Sequence, residues 1–129
     1  MTTTKKVAEL EGTELNYWVA KATGRECGLS YPQWLGHWTS DPEGTGLKKH
    51  AWIADETGDK DWFQPSTDWS EGGPIIEREK IMLANGYGYT DIGFIWLAHI
   101  DNHQQRGVTP LIAAMRCYVA SVFGEEVSE

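Results

Sequence analysis

The residues best equipped for chemistry in this chain lie between Ser66 and Glu79. Ser66-Thr67-Asp68-Trp69 is followed by Gly72-Gly73-Pro74 and then by Glu77-Arg78-Glu79, the densest polar constellation in the sequence. A serine and an aspartate, with a histidine elsewhere, suggest a hydrolytic triad in which imidazole takes the hydroxyl proton and carboxylate orients the imidazole. Yet no Gly-x-Ser-x-Gly elbow exists, and Ser66 follows Pro65 in a turn. Ser66, Thr67 and Asp68 more simply form an Asx or Ser/Thr turn, or cap a helical turn. The glycine pair is no phosphate loop, because the lysine and the following Ser/Thr are missing. Glu77 and Glu79 diverge on a helix, which argues against a paired-carboxylate hydrolase site. Asp68, Trp69 and Glu77 therefore stand as contacts to a ligand or partner, and no catalytic residue is assigned.

Three further groups could carry function. His99, Asp101 and His103 would face one way on a strand, and the two histidines would be neighbours on a helix. The segment precedes the polar run Gln104 to Gly107, so it reads as a solvated loop and no metal site is expected. Arg116 stands alone on a helix face of small residues and, if buried, calls for a carboxylate partner, with Asp68 and Glu77 as candidates. Cys27 and Cys117 lack a second pair at zinc-ligand spacing and read as two reduced thiols, with a disulfide between them as the alternative; no cofactor is implied. Five of the seven tryptophans fall between 34 and 69 beside acidic residues. That pattern could build a stacking surface, but it also fits anchors for a core poor in long elements.

Positioning these residues falls to few regular elements. Residues 7 to 23 read as helix, with Leu15, Trp18, Val19 and Ala22 on one face, Thr13 as cap, Gly24 as stop, and a lead-in turn around Val7 and Leu10. Asn16, Tyr17 and Lys21 fall on the opposite, outward face. The middle is punctuated by the turn signals DPEGTG, DETGD, EGGP and ANGYG. Trp52-Ile53-Ala54 and Trp62-Phe63 make the best hairpin; Ile81 to Leu83 and Ile92 to Ala98 could form a second. From 28 to 50 no regular signal appears. The clearest element is the C-terminal helix, with Thr109 as N-cap, Pro110 as first residue and Gly124 as stop. Leu111, Ile112, Met115, Tyr118, Val119, Val122 and Phe123 share an arc of about 140°. Ala113, Ala114, Cys117, Ala120 and Ser121 form the opposite arc, which must be covered as well, by this chain or by a second copy. The expectation is an α+β fold in a single domain, 1–129, with an N-terminal helix, a loop-rich middle of short antiparallel hairpins, an amphipathic C-terminal helix, and room for an unusual topology.

Composition narrows the function classes. With 129 residues and 11 basic against 19 acidic side chains, the formal charge is −8. Such a surface does not neutralise phosphates, so nucleic acid is not an expected partner. No stretch is long and apolar enough for a membrane helix, and MTTTKK does not lead into a secretory apolar region, so the chain reads as cytoplasmic.

The strings ELEGTELNYWVAKATG, STDWSEGGPIIERE and GVTPLIAAMRCYVASVFGEEV, about half the chain, resemble a bacteriophage family that includes NinX-type proteins. The C-terminal string is the most specific part; Leu29 to Asp61 and HIDNHQQRG match least. The resemblance implies a phage or prophage protein acting inside a bacterial host cell, and carries no activity or site residue onto positions here. Three functions compete. The first is a noncatalytic accessory or structural protein that acts through contacts with a host or phage protein and through self-association as a homo-oligomer. The second is a small-molecule-binding or hydrolytic enzyme using Ser66 to Glu79 with Arg116 as anion clamp. The third is an acidic decoy of DNA.

Overall fold

A computed structural model describes residues 4–30, 49–90 and 93–128. Strand β1 (Thr4–Lys6) runs into a 3-10 turn at Val7–Glu9 and then into helix α1 (Gly12–Ala22). Leu15, Trp18 and Val19 are buried on α1, as their spacing demands, and the helix ends with the Thr23 hydroxyl donating to the Ala20 carbonyl at 2.6 Å. Gly24 leaves the helix at φ +81°, where a side chain would be strained.

Strands β2 (Cys27–Ser30), β3 (His50–Ala54) and β4 (Lys60–Trp62) form an antiparallel sheet in that order. The expected hairpin is present, with Trp52 opposite Trp62. Its turn is closed by the Asp55 carboxylate, which accepts from the Thr57 and Asp59 amides at 2.8 and 3.0 Å. Helix α2 (Trp69–Glu79) follows. A second antiparallel sheet comprises β5 (Met82–Thr90), β6 (Gly93–Ile100) and β7 (His103–Gly107). Gly93 to Ala98, within the run expected to pair with Ile81 to Leu83, lie on β6, and Leu83 lies opposite Ala98. Helix α3 (Pro110–Phe123) is capped as expected: the Thr109 hydroxyl accepts from the Ile112 amide at 3.1 Å, and Gly124 ends the helix at φ +93°. Strand β8 (Glu126–Ser128) returns to pair antiparallel with β1.

Helix α3 organises the core. Its small side lies on β6 and β7; its large side meets α1 and α2. Ala113, Ala114, Cys117 and Ala120 are all 0% exposed, and Ser121 is half-buried with its hydroxyl donating to the Tyr118 carbonyl. The cover is this chain itself, so the face expected to serve packing or a second copy is spent on internal packing. Small residues are needed because helix and sheet nearly touch. A Cβ on Gly107 would sit 2.5 Å from the Ala113 nitrogen, so only glycine lets β7 pass beneath the first turn of α3. The seven-residue apolar arc is buried along most of its length, but Val122 and Phe123 at the last turn are 48% and 40% exposed.

Five expectations change. Thr13, expected to cap α1, lies inside it, and the N-cap is Glu11 with no side-chain cap bond. The stretch 99 to 107 is a β6–β7 hairpin rather than a loop: Asp101 adopts φ +52° in the turn, and Ile100 faces His103 across it. Glu71 to Pro74, read as a turn signal, lie inside a helix that runs from Trp69 to Glu79. Residues 27–30 form a strand where no regular signal was evident. Asn16, assigned to the outer face of α1, is 6% exposed. Trp34 and Trp38 lie outside the described residues. The remaining tryptophans divide: Trp18 and Trp52 are buried, whereas Trp69 is 54% exposed.

Candidate functional site

Helix α2 explains the polar constellation from the residues upward. Asp68 is its N-cap, and its carboxylate accepts from the Ser70 amide at 2.9 Å and the Ser70 hydroxyl at 2.7 Å. These bonds favour the ionised form and hold the Asp68 carboxyl below its ordinary value. Three residues on, Glu71 reaches back in the manner of a capping box, but to the Gln64 amide, which donates to its Oε1 at 2.9 Å. The turn from Gln64 to Asp68 is also tied to α1: the Asn16 side-chain carbonyl accepts from the buried Ser66 amide at 3.0 Å. Gly72 then permits close docking, since a Cβ there would collide with the Pro65 carbonyl and lie 2.6 Å from Leu111 on α3. Within the helix, Pro74 removes one amide, and Lys80 ends it in the left-handed region at φ +55°.

Further along, α2 faces the segment after α1 and the β3–β4 hairpin across a cleft of about 460 Å3, with Tyr118 of α3 at its edge. Its apolar wall comes from Ile53, Phe63, Pro74, Ile75 and Tyr118, and its charged groups are Arg25, Glu71, Arg78 and Glu79. Arg78 Nε donates to Glu79 at 2.9 Å, Nη2 donates to the Tyr118 hydroxyl at 3.3 Å, and the guanidinium lies 5.9 Å from the Tyr118 ring centroid. The Glu79 carboxylate pushes the Arg78 pKa up, while burial pushes the Tyr118 phenol up against the opposing pull of Arg78. Glu71 differs. Burial raises its carboxyl above the usual range, the Gln64 amide partly offsets this, and the negative charges of Asp68 and Asp61 add to the rise.

The residues singled out from sequence are not gathered at this cleft. Asp68 is committed to its cap and acts on the cleft through its charge on Glu71. Trp69 projects from the start of α2, and Glu77 is exposed on its outer side. Arg116 lies elsewhere: at about 100° per residue it falls some 160° around α3 from Tyr118, where α2 packs, so neither Asp68 nor Glu77 is its partner. Instead Arg116 Nε donates to the Leu10 carbonyl and Nη1 to the Arg106 carbonyl, both at 2.8 Å. Burial lowers its pKa, with Glu11 the charge that opposes the change. It fastens α3 to the chain before α1 and to β7. The cleft residues Glu71, Arg78 and Tyr118 were missed because their convergence depends on the packing of α2 against α3. A partial signal was available, an acid three residues after a capping Asp.

The nucleophile candidates are equally well placed by the fold. Cys117 is buried against the β6–β7 hairpin with its thiol toward the His103 carbonyl at 3.5 Å, and burial pushes its pKa up to about 11. Ser66 is buried, and its hydroxyl has no hydrogen-bond partner among the described residues. His103 turns toward Glu125 at 3.6 Å, while His99 lies on the neighbouring strand, opposite Gln104. No group of three or more metal-ligating side chains occurs among the described residues.

Fold and site together define an α+β protein with a charged cleft along α2, beside the central helix. Residues 6–122 match the family described as Bacteriophage P22, NinX, and the chain belongs to that family. No curated protein matches it. Among the described residues no helix is long and apolar enough to cross a membrane.

Proposed function

We propose that this phage protein is a noncatalytic accessory factor, acting in the cytoplasm of the bacterial host through protein contacts, with the cleft along α2 as its docking surface. The make-up of that cleft carries the reading. Charged and apolar side chains share its lining, and the Arg78–Glu79 pair and Tyr118 hold one another in place, so a partner meets fixed polar groups beside an apolar wall. The hydrolytic alternative finds less support: Cys117 is a poor thiolate at neutral pH, and the Ser66 hydroxyl has no base beside it among the described residues.

The test is affinity capture of the tagged full chain from phage-infected cells, wild type against Pro74→Trp, which fills the cleft from an exposed position. Loss of the captured partner in the variant is the expected result; an unchanged partner set would overturn the assignment.

A contact with a second copy is favoured by a separate feature. Leu83 and Ala98 pack on the core, so their alternating neighbours Met82 and His99 lie on the opposite face of the β5–β6–β7 sheet, where Met82 is 70% exposed. Leu97, Arg106 and Gln104 line the same groove of about 510 Å3. Light scattering is expected to give a dimer that Met82→Lys converts to monomer; a wild-type monomer at high concentration contradicts this.

A further inference from the structure

We infer that Glu71 is the anchor for a cationic side chain, lysine or arginine, presented by the protein that docks in the cleft along α2. This rests on the cleft being the docking surface and names the chemistry of what enters it. Glu71 lines the cleft, half-buried, and its carboxylate takes one hydrogen bond, from the Gln64 amide. Two arginines line the same cleft, yet no cation pairs with Glu71 among the described residues. Arg78 is turned to Glu79 and Tyr118.

The charges that reach Glu71 are Asp68 and Asp61, both of its own sign. A carboxylate left in this setting repels its neighbours and is partly stripped of water, so an incoming cation cancels the like-charge repulsion and supplies an electrostatic partner that offsets the lost hydration. Beside it, Phe63, Pro74 and Ile75 offer an apolar wall suited to the aliphatic stem of a long basic side chain. The net charge of −8 draws a basic partner toward this acidic molecule from a distance.

The experiment uses the intact, isotopically labelled chain titrated with N-acetyl-lysine methylamide, followed by NMR at the Gln64 amide, which reports directly on the carboxylate it touches. Its uncharged counterpart, N-acetyl-norleucine methylamide, is the control. The lysine probe is expected to shift Gln64 and neighbouring cleft signals saturably, with weaker binding as salt is raised. Glu71→Gln keeps an acceptor for the Gln64 amide and should leave the rest of the spectrum unchanged while weakening the lysine probe at least about tenfold. Equal binding of both probes, or an unaffected Glu71→Gln variant, overturns the cationic anchor while leaving the cleft as a docking surface. Silence from both probes overturns it too. The docking assignment itself falls only if Pro74→Trp retains the captured partner.

Discussion

The two flanks of helix α3 are built from the same fourteen residues and differ in kind. Toward the sheet, alanines, a cysteine and the Gly107 backbone meet without side-chain volume to spare. Toward α2, Tyr118 stands at the edge of a gap lined by two guanidiniums and two carboxylates. On the first flank the sequence is constrained by closeness, and the Arg116 and Ser121 side chains bond to main-chain carbonyls of this chain. On the second, a half-buried carboxylate is kept without a cation from the described residues. Close packing dominates the first flank, whereas burial and the charges of Asp68 and Asp61 raise the Glu71 carboxyl on the second.

Substitutions at the two flanks should therefore behave differently. The largest effect is expected on the sheet side. Ala113→Leu forces a branched side chain between α3 and β7 and should destabilise the protein by about 3 kcal/mol, read as a lower denaturant midpoint. Arg116→Ala, which strands the Leu10 and Arg106 carbonyls, should cost about 2 kcal/mol with little effect on partner capture. Removing the α3 cap with Thr109→Ala should cost about 1 kcal/mol.

On the cleft side the sign reverses. The native state holds the Glu71 carboxyl at a raised pKa, so its contribution to stability is fully present below the unfolded value and is lost as pH rises through the native one. Glu71→Gln should therefore melt slightly higher than wild type at pH 7, and the difference should vanish near pH 4 on a thermal-unfolding series.

The flanks also differ in how far they could be read in advance. Thr109, Pro110 and Gly124 mark the ends of α3 by local chemistry, and the alternation of large and small residues around it demands cover on both sides. The Trp52–Trp62 hairpin is legible for the same reason, because the Asp55–Asp59 turn lies between two short apolar runs. Helix α2 was obscured by Gly72, Gly73 and Pro74, whose usual meaning is a turn; Gly72 is there because Pro65 and Leu111 leave no room for a Cβ. The ligands of Arg116 were illegible for another reason. They are main-chain carbonyls, which every residue carries, so no side-chain pattern announces them. Glu71, Arg78 and Tyr118 are distant in sequence or ordinary in type, and only the docking of α2 on α3 gives them a common surface.

The most direct test joins stability and binding in one variant. Purified Glu71→Gln should unfold at a higher temperature than wild type at pH 7 and, in the same buffer, lose its response to N-acetyl-lysine methylamide. A variant that gains stability and still binds the probe as wild type does would show that the unpaired carboxylate is incidental, contradicting the central claim that this flank of α3 is held open for a basic partner.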